Sequence, residues 1–329
     1  MNRWLSKGAA PDCHRLPGLP LATNTSGIAS TLLKRPWINV RVVRRGDGID
    51  SPLIPQTPHS TTLRHFNTQG RAGMPDDIRP RRLTISRSRR LTMDVLHYNR
   101  KVPTCAHDRK FDLGRLAELR LQSSQRISWP VLFIKAFATV AQKHPVLRQS
   151  YVNWPWPHLI EHPHSVAMLA TQRAHRGEPW LFWSRFVQPE QQSLVQLQQL
   201  LDRYQTAPVE KVFLQQWRLS GLPTFLRRCF WWWTLNFAGA RRAKRVGTFF
   251  LTTLAGKGVE IQDPPAFLTS NLTYGPLDES GCCRVTLSYD HRLMDGATVA
   301  DCLIELEATL NQEILREMET VIAGGRSAA

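Results

Sequence analysis

The stretch 284–310 does most to limit what this chain can fold into. Arg284, Val285, Thr286, Leu287, Ser288 and Tyr289 form a β-patterned run, and Val299, Cys302, Leu303, Leu306 and Leu310 then recur at helical spacing. Between strand and helix lie only Asp290-His291-Arg292-Leu293-Met294-Asp295-Gly296-Ala297. A strand that turns directly into an amphipathic helix calls for a layered α/β arrangement in which each buries the other's apolar face. The histidine at the strand mouth stands where a backbone can fix an imidazole, a group that takes up a proton at about pH 6.5. Asp295, just past the turn, can hold the loop that orients the ring, and Gly296 relieves the backbone where it enters the helix. The plainer reading of His291 is a structural histidine at a strand end.

The octet Asp290-His291-Arg292-Leu293-Met294-Asp295-Gly296-Ala297 resembles the D-H-R-x-x-D-G-A signature of dihydrolipoamide acyltransferases, the acyl-transferring subunits of 2-oxo acid dehydrogenase complexes. Chloramphenicol acetyltransferase is a structural relative of that family with the same H-x-x-x-D-G core. The resemblance covers roughly residues 82 to 315, with a good fit at both ends and a poor one from about 172 to 246. It implies an α/β fold, a two-layer sandwich with a mixed β-sheet of chloramphenicol acetyltransferase type. It also implies a homotrimer or higher assembly with the active site between subunits.

Further residues acquire expected roles from that resemblance. Ser88-Arg89-Arg90-Leu91 is similar to the segment whose arginine forms a salt bridge with the motif aspartate, which puts Arg89, with Arg90 as the next match, opposite Asp295. Gly247-Thr248-Phe249-Phe250-Leu251-Thr252-Thr253-Leu254 resembles the family's G-T-F-T-I-S-N-L strand, in which a hydroxyl faces the reacting carbonyl. That register selects Thr252, with Thr253 one residue out of step. Without the resemblance, a threonine pair in a strand is ordinary β-propensity. Residues 1–80 carry no lipoyl or peripheral-subunit-binding pattern, and Thr171-Gln172-Arg173-Ala174-His175-Arg176-Gly177 replaces the segment that helps line the family's lipoyl channel. A stand-alone enzyme with another acceptor therefore competes with a complex core that uses lipoamide.

Composition bears on partners. The 43 Lys+Arg against 26 Asp+Glu give a formal charge of +17, which calls for an anionic partner such as nucleic acid, anionic lipid or coenzyme phosphates. The basic run from Arg79 to Arg90 lacks interleaved aromatics and any nucleic-acid fold motif, which argues against nucleic acid. No segment reaches the roughly 18 to 20 uninterrupted apolar residues needed to cross a bilayer. The six cysteines are scattered and form no C-x-x-C pair, so neither a disulfide framework nor a zinc ribbon is expected, and a reducing cytoplasm fits best. His158, His162 and His164 have no acidic or cysteine partner at metal spacing, and no metal is assigned.

Three segments follow in order. Residues 1–80, rich in Pro, Ser, Gly and Arg, read as a disordered basic extension or as a start placed too far upstream of Met74. Residues 81–318 read as the catalytic domain. Within it, Asp112 would cap a helix bearing Leu113, Leu116 and Leu119, and Ser128 with Pro130 would open an apolar helix. An aromatic and basic insertion spans about 205–246, and its Trp-rich stretch 217–237 suits a membrane-surface helix, an apolar substrate wall or a subunit contact. Residues 319–329 read as a flexible tail.

The function so implied is transfer of an acyl group from a coenzyme A thioester, a co-substrate rather than a bound cofactor, to a thiol, hydroxyl or amine acceptor by direct attack. His291 would be the general base, Thr252 the oxyanion donor, Asp295 with Arg89 the loop anchor, and Gly296 the loop glycine. The rival reading is a non-catalytic oligomer that binds anionic membrane or nucleic acid through its basic surface.

Overall fold

In the computed structural model residues 80–239 and 241–327 are described. The extension expected over residues 1–80 lies, apart from its last residue, outside them. The elements in chain order are α1 (Arg87–Asn99), β1 (Thr104–Asp112), α2 (Gly114–Gln122), α3 (Trp129–Lys143), β2 (Gln149–Val152), β3 (His158–Glu161), β4 (Val166–His175), β5 (Glu178–Val187), α4 (Leu194–Thr206), α5 (Val209–Val212), α6 (Leu214–Gly221), α7 (Thr224–Phe237), α8 (Arg241–Val246), β6 (Phe249–Leu251), β7 (Ser270–Tyr274), β8 (Cys282–Asp290), α9 (Gly296–Thr309) and α10 (Leu315–Ser327).

Six strands form one mixed sheet in the order β1-β8-β7-β6-β4-β5. β6 lies parallel to both β4 and β7, and the other pairings are antiparallel. β2 and β3 form a separate antiparallel pair. Alternation along each strand sends successive side chains to opposite faces. Phe249 and Leu251 accordingly join the main core, with α3, α9 and α10, whereas Phe250 joins a second apolar cluster with Leu91 and Val95 of α1 and Trp231 of α7. The expected α/β sandwich with a mixed sheet is present, and α1 with the insertion helices covers part of the second face.

The local signals work as sequence logic requires. Ser128 precedes α3, with Pro130 in its first turn, where a missing N–H costs nothing. Asp112 acts one residue early, its Oδ1 accepting from the Gly114 N–H at 3.1 Å, so α2 starts after Leu113. Ser193 and Gln196 form a reciprocal capping box on α4. β5 had no counterpart in the sequence reading. It is the return arm of a hairpin turned by Arg176 and Gly177, at φ 53° and 77°, the left-handed pair that matches strand twist. The region expected as a tail from residue 319 is instead helical to Ser327, with Met318 and Ile322 buried. Cys105, Cys229, Cys283 and Cys302 are free thiols, whereas Cys282 is disulfide-bonded, which the sequence did not announce.

His162 is a buried histidine rather than part of a ligand set. It is 1 % exposed, its Nε2 pairs with the Ser150 hydroxyl at 3.0 Å, and its Nδ1 has no partner. Burial first, then the Arg242 and Arg148 charges, push its pKa down to about 4. The unfolded chain therefore takes up this proton first, so the histidine's contribution to stability is fully present above about pH 6.5 and declines as pH falls towards 4. The full swing is on the order of 3 kcal/mol. Thermal melts between pH 7 and pH 4 are expected to show this loss, and His162→Gln is expected to flatten it. Equal slopes for both proteins would contradict the assignment.

Candidate active site

β8 delivers the motif to the rim of the sheet. The Asp290 N–H donates to the Thr269 carbonyl at 2.9 Å, which ends the ladder with β7, and the His291 N–H donates to the Pro103 carbonyl at 3.0 Å. The turn is braced by Asp290, 3 % exposed, whose carboxylate accepts from Arg292 three times: backbone N–H at 3.0 Å, Nε at 2.9 Å and Nη2 at 2.6 Å. The Arg292 guanidinium lies 4.0 Å above the centre of the Tyr151 ring. The His291 side chain projects from this braced turn into solvent, 5.6 Å from the Tyr289 ring centre.

Asp295 caps α9. Its Oδ1 accepts from the Thr298 N–H at 3.1 Å and from the Thr298 hydroxyl at 3.0 Å. These bonds, with a smaller contribution from the nearby His291 imidazole, hold its carboxyl below the ordinary value. The expected salt bridge to Arg89 does not form: Asp295 is spent on the cap, and Arg89 is exposed on the outer side of α1. Its neighbour Arg87 does the docking there, donating to the Ser220 hydroxyl at 2.9 Å and the Trp217 carbonyl at 2.6 Å. Gly296 opens α9 without a left-handed backbone; a Cβ there would lie 3.2 Å from Cε1 of the exposed His107 ring, which would have to shift slightly to admit it. His107, on β1, stacks on Tyr289 at 5.4 Å.

The threonine pair ends β6. The Thr253 hydroxyl donates to the Tyr274 carbonyl at 2.9 Å and accepts from the Ala255 N–H at 3.0 Å, so it is fully engaged. Thr252 uses its N–H on the Leu272 carbonyl at 3.0 Å. Its hydroxyl has no partner among the described residues, and the side chain lines a cavity of about 330 Å³ with Val95, Trp183 and Phe250. Of the two, Thr252 is the one with a hydroxyl to offer.

His291 and Thr252 do not meet within the chain. Leu251, Leu272 and Leu287 stand abreast on β6, β7 and β8. His291 extends beyond one end of that row and Thr252 beyond the other. With about 3.3 Å per residue and about 4.8 Å per strand spacing, their backbones are roughly 15–20 Å apart. Among the described residues, no cluster of His, Cys, Asp or Glu is arranged to hold a metal ion.

What the sequence reading missed is the Asp290–Arg292 brace, and the signal was in plain view, since two opposite charges flank the histidine. It also missed His107 and Tyr289, whose stacking rests on the pairing of β1 with β8 across about 180 residues of chain.

No protein-family profile and no curated protein matches the sequence. Solved structures do match the fold. A probable dihydrolipoamide acetyltransferase from Listeria monocytogenes 4b F2365 superposes with TM-score 0.51 at 14 % identity, over 71 % of this chain and 95 % of that one. A truncated catalytic core of the 2-oxoacid dehydrogenase multienzyme complex from Thermoplasma acidophilum gives TM-score 0.52 at 14 % identity, over 71 % and 99 %. The dihydrolipoamide acetyltransferase of Azotobacter vinelandii gives TM-score 0.50 at 16 % identity, over 71 % and 92 %. The fold is thus that of the acyltransferase catalytic cores, as the motif implied.

Proposed function

We propose that the protein is an acyltransferase that moves an acyl group from a coenzyme A thioester to a thiol, hydroxyl or amine acceptor, at a site shared between two copies of the chain. The observation that carries this reading is the pairing of two unfinished halves. At one end an imidazole stands free on a braced turn; at the other an unpartnered hydroxyl faces a cavity. A homotrimer or higher assembly, as the fold's relatives suggested to the sequence reading, would bring His291 of one copy against Thr252 of another.

The chemistry follows from the groups present. His291 takes the proton from the acceptor as it attacks the thioester carbonyl, and the Thr252 hydroxyl donates to the oxygen that becomes negative. The tetrahedral species collapses, the C–S bond breaks, and the imidazolium returns its proton to the departing thiolate. No acyl-enzyme forms. Asp290 and Arg292 hold the turn, and Asp295 holds the helix that follows. The Azotobacter vinelandii enzyme is described through a serine, a histidine and an asparagine in its catalytic mechanism, with the last two four residues apart, as His291 and Asp295 are. That parallel supports the assignment, with threonine in place of serine and aspartate in place of asparagine. Lipoamide belongs in the acceptor panel beside other thiols, alcohols and amines.

Complementation tests the shared site. His291→Ala and Thr252→Ala are each expected to be nearly inactive when free thiol release from acyl-CoA is followed. Mixed after dissociation and reassembly, they are expected to recover a sizeable fraction of parental activity, because mixed contacts restore an intact pair. No recovery from stable assemblies, or full activity in either single variant, would refute the reading.

A second reading has its own observation. Phe225, Trp232, Trp233 and Phe237 of α7 are exposed, with Trp154 packed on Phe237 at 4.7 Å, beside the exposed Arg228 and Arg241. Aromatics next to cations suit the surface of an anionic membrane, and peripheral attachment of a cytoplasmic enzyme is compatible with acyl transfer.

A further inference from the structure

The insertion helices enclose a second, larger cavity. α6, α7 and α8 cover a volume of about 680 Å³ over Met168, Trp183 and Phe250 of the sheet. Its body is apolar, with Leu91, Val95 and Leu219 among the walls. Five cations also line it, Arg185, Arg218, Arg241, Lys244 and Arg245, and no carboxylate does. None of the five forms a salt bridge with a described residue; Arg185 instead donates to the Lys244 carbonyl. Trp231, 8 % exposed, lines the same space and its indole N–H has no partner. Val95, Trp183 and Phe250 are walls of both this cavity and the one that holds Thr252. An apolar surface thus extends from a basic mouth to the free hydroxyl.

We propose that this cavity binds a long unbranched aliphatic chain carrying an anionic head group. The head rests on Arg218, Arg241, Lys244 and Arg245, and the chain runs over Phe250 towards Thr252. Two features choose this class. A small hydrophilic anion would satisfy the cations and leave the apolar body unfilled, whereas a neutral hydrocarbon would fill the body and forgo the attraction of the exposed cations Arg218, Arg241, Lys244 and Arg245 at its mouth. Each methylene taken from water is worth about fourfold in affinity, so chain length is read strongly. Carboxylate and phosphate heads share the required chemistry. Only the step in which the chain reaches Thr252 rests on the acyl-transfer reading; the binding itself does not.

The test is equilibrium dialysis of radiolabelled hexadecanoate and hexadecyl phosphate, below their micelle concentrations, against the full chain. Saturable binding at one site per chain is expected, with octanoate weaker by about 100-fold or more, and hexadecyltrimethylammonium weak or absent. The arm that binds better, carboxylate or phosphate, identifies the head. Reversing the rim with Lys244→Glu and Arg245→Glu is expected to weaken hexadecanoate by about tenfold and to leave hexadecanol unchanged. Leu219→Trp, which fills the body, is expected to weaken all long chains. His291→Ala is expected to bind hexadecanoate as the parent does, whereas unmodified protein that binds the chain yet transfers no acyl group overturns the catalytic reading alone. Equal binding of the cationic and anionic chains overturns this proposal using unmodified protein only. So does capture on phosphatidylglycerol vesicles without binding of monomeric hexadecanoate, which would make the face a membrane surface instead.

Discussion

Replacing His291 with alanine is expected to lower the turnover of acyl-CoA by about 100- to 10,000-fold while the protein folds and melts as before. The size reflects what a positioned general base contributes. The intact fold reflects how the turn is built, because the side chain is exposed and every bond that holds the turn comes from elsewhere. The His291 N–H reaches the Pro103 carbonyl whatever the side chain, and the Asp290 carboxylate keeps its three bonds to Arg292. Arg292→Ala provides the contrast. It leaves the imidazole in place but frees the buried Asp290 carboxylate, so both stability and rate should fall together. Thiol-release kinetics alongside thermal melts separate the two variants. A His291→Ala protein with parental turnover would remove the imidazole from the chemistry.

The motif was legible because it is local. A strand, an octet and a helix lie in one continuous stretch, and each of their signals, alternation, turn and helical spacing, is read over a few residues. The same holds for α3 with its Ser128 and Pro130, and for α4 with its capping box. Pairings across the chain were not legible. Arg89 was matched to Asp295 by resemblance, but the inward face of α1 is set by Ser88, Leu91, Asp94, Val95 and Tyr98, and one residue along a helix is a rotation of about 100°. Arg89 therefore points away. The buried charge on that face is Asp94, and its partner lies in the Trp-rich stretch, where Arg227 interrupts an apolar run. Each charge by itself signals that a partner is needed. Nothing in the sequence says that the two, 133 residues apart, find one another.

Breaking that pair is expected to be strongly destabilising. Arg227 Nε donates to Asp94 Oδ2 at 2.7 Å and Nη2 to Oδ1 at 3.2 Å, with the side chains 3 % and 1 % exposed. The guanidinium also donates to the Leu222 carbonyl at 2.8 Å. Asp94→Ala leaves a cation buried without its counter-charge, which costs about 3–5 kcal/mol. In a domain of this size each kcal/mol is worth about 2–4 °C, so the melting temperature should fall by roughly 6–20 °C. The double variant Asp94→Leu with Arg227→Met should recover most of the loss, because two desolvated charges are exchanged for packing. The pair clamps α7 to α1, with help from the Tyr98 hydroxyl, which donates to the Arg228 carbonyl at 2.7 Å. Both helices wall the large cavity through Val95 and Trp231. Asp94→Ala should therefore lose affinity for hexadecanoate well below its melting temperature, and the double variant should regain it. If Asp94→Ala melts within about 2 °C of the parent, the clamp is not what holds α7 in place.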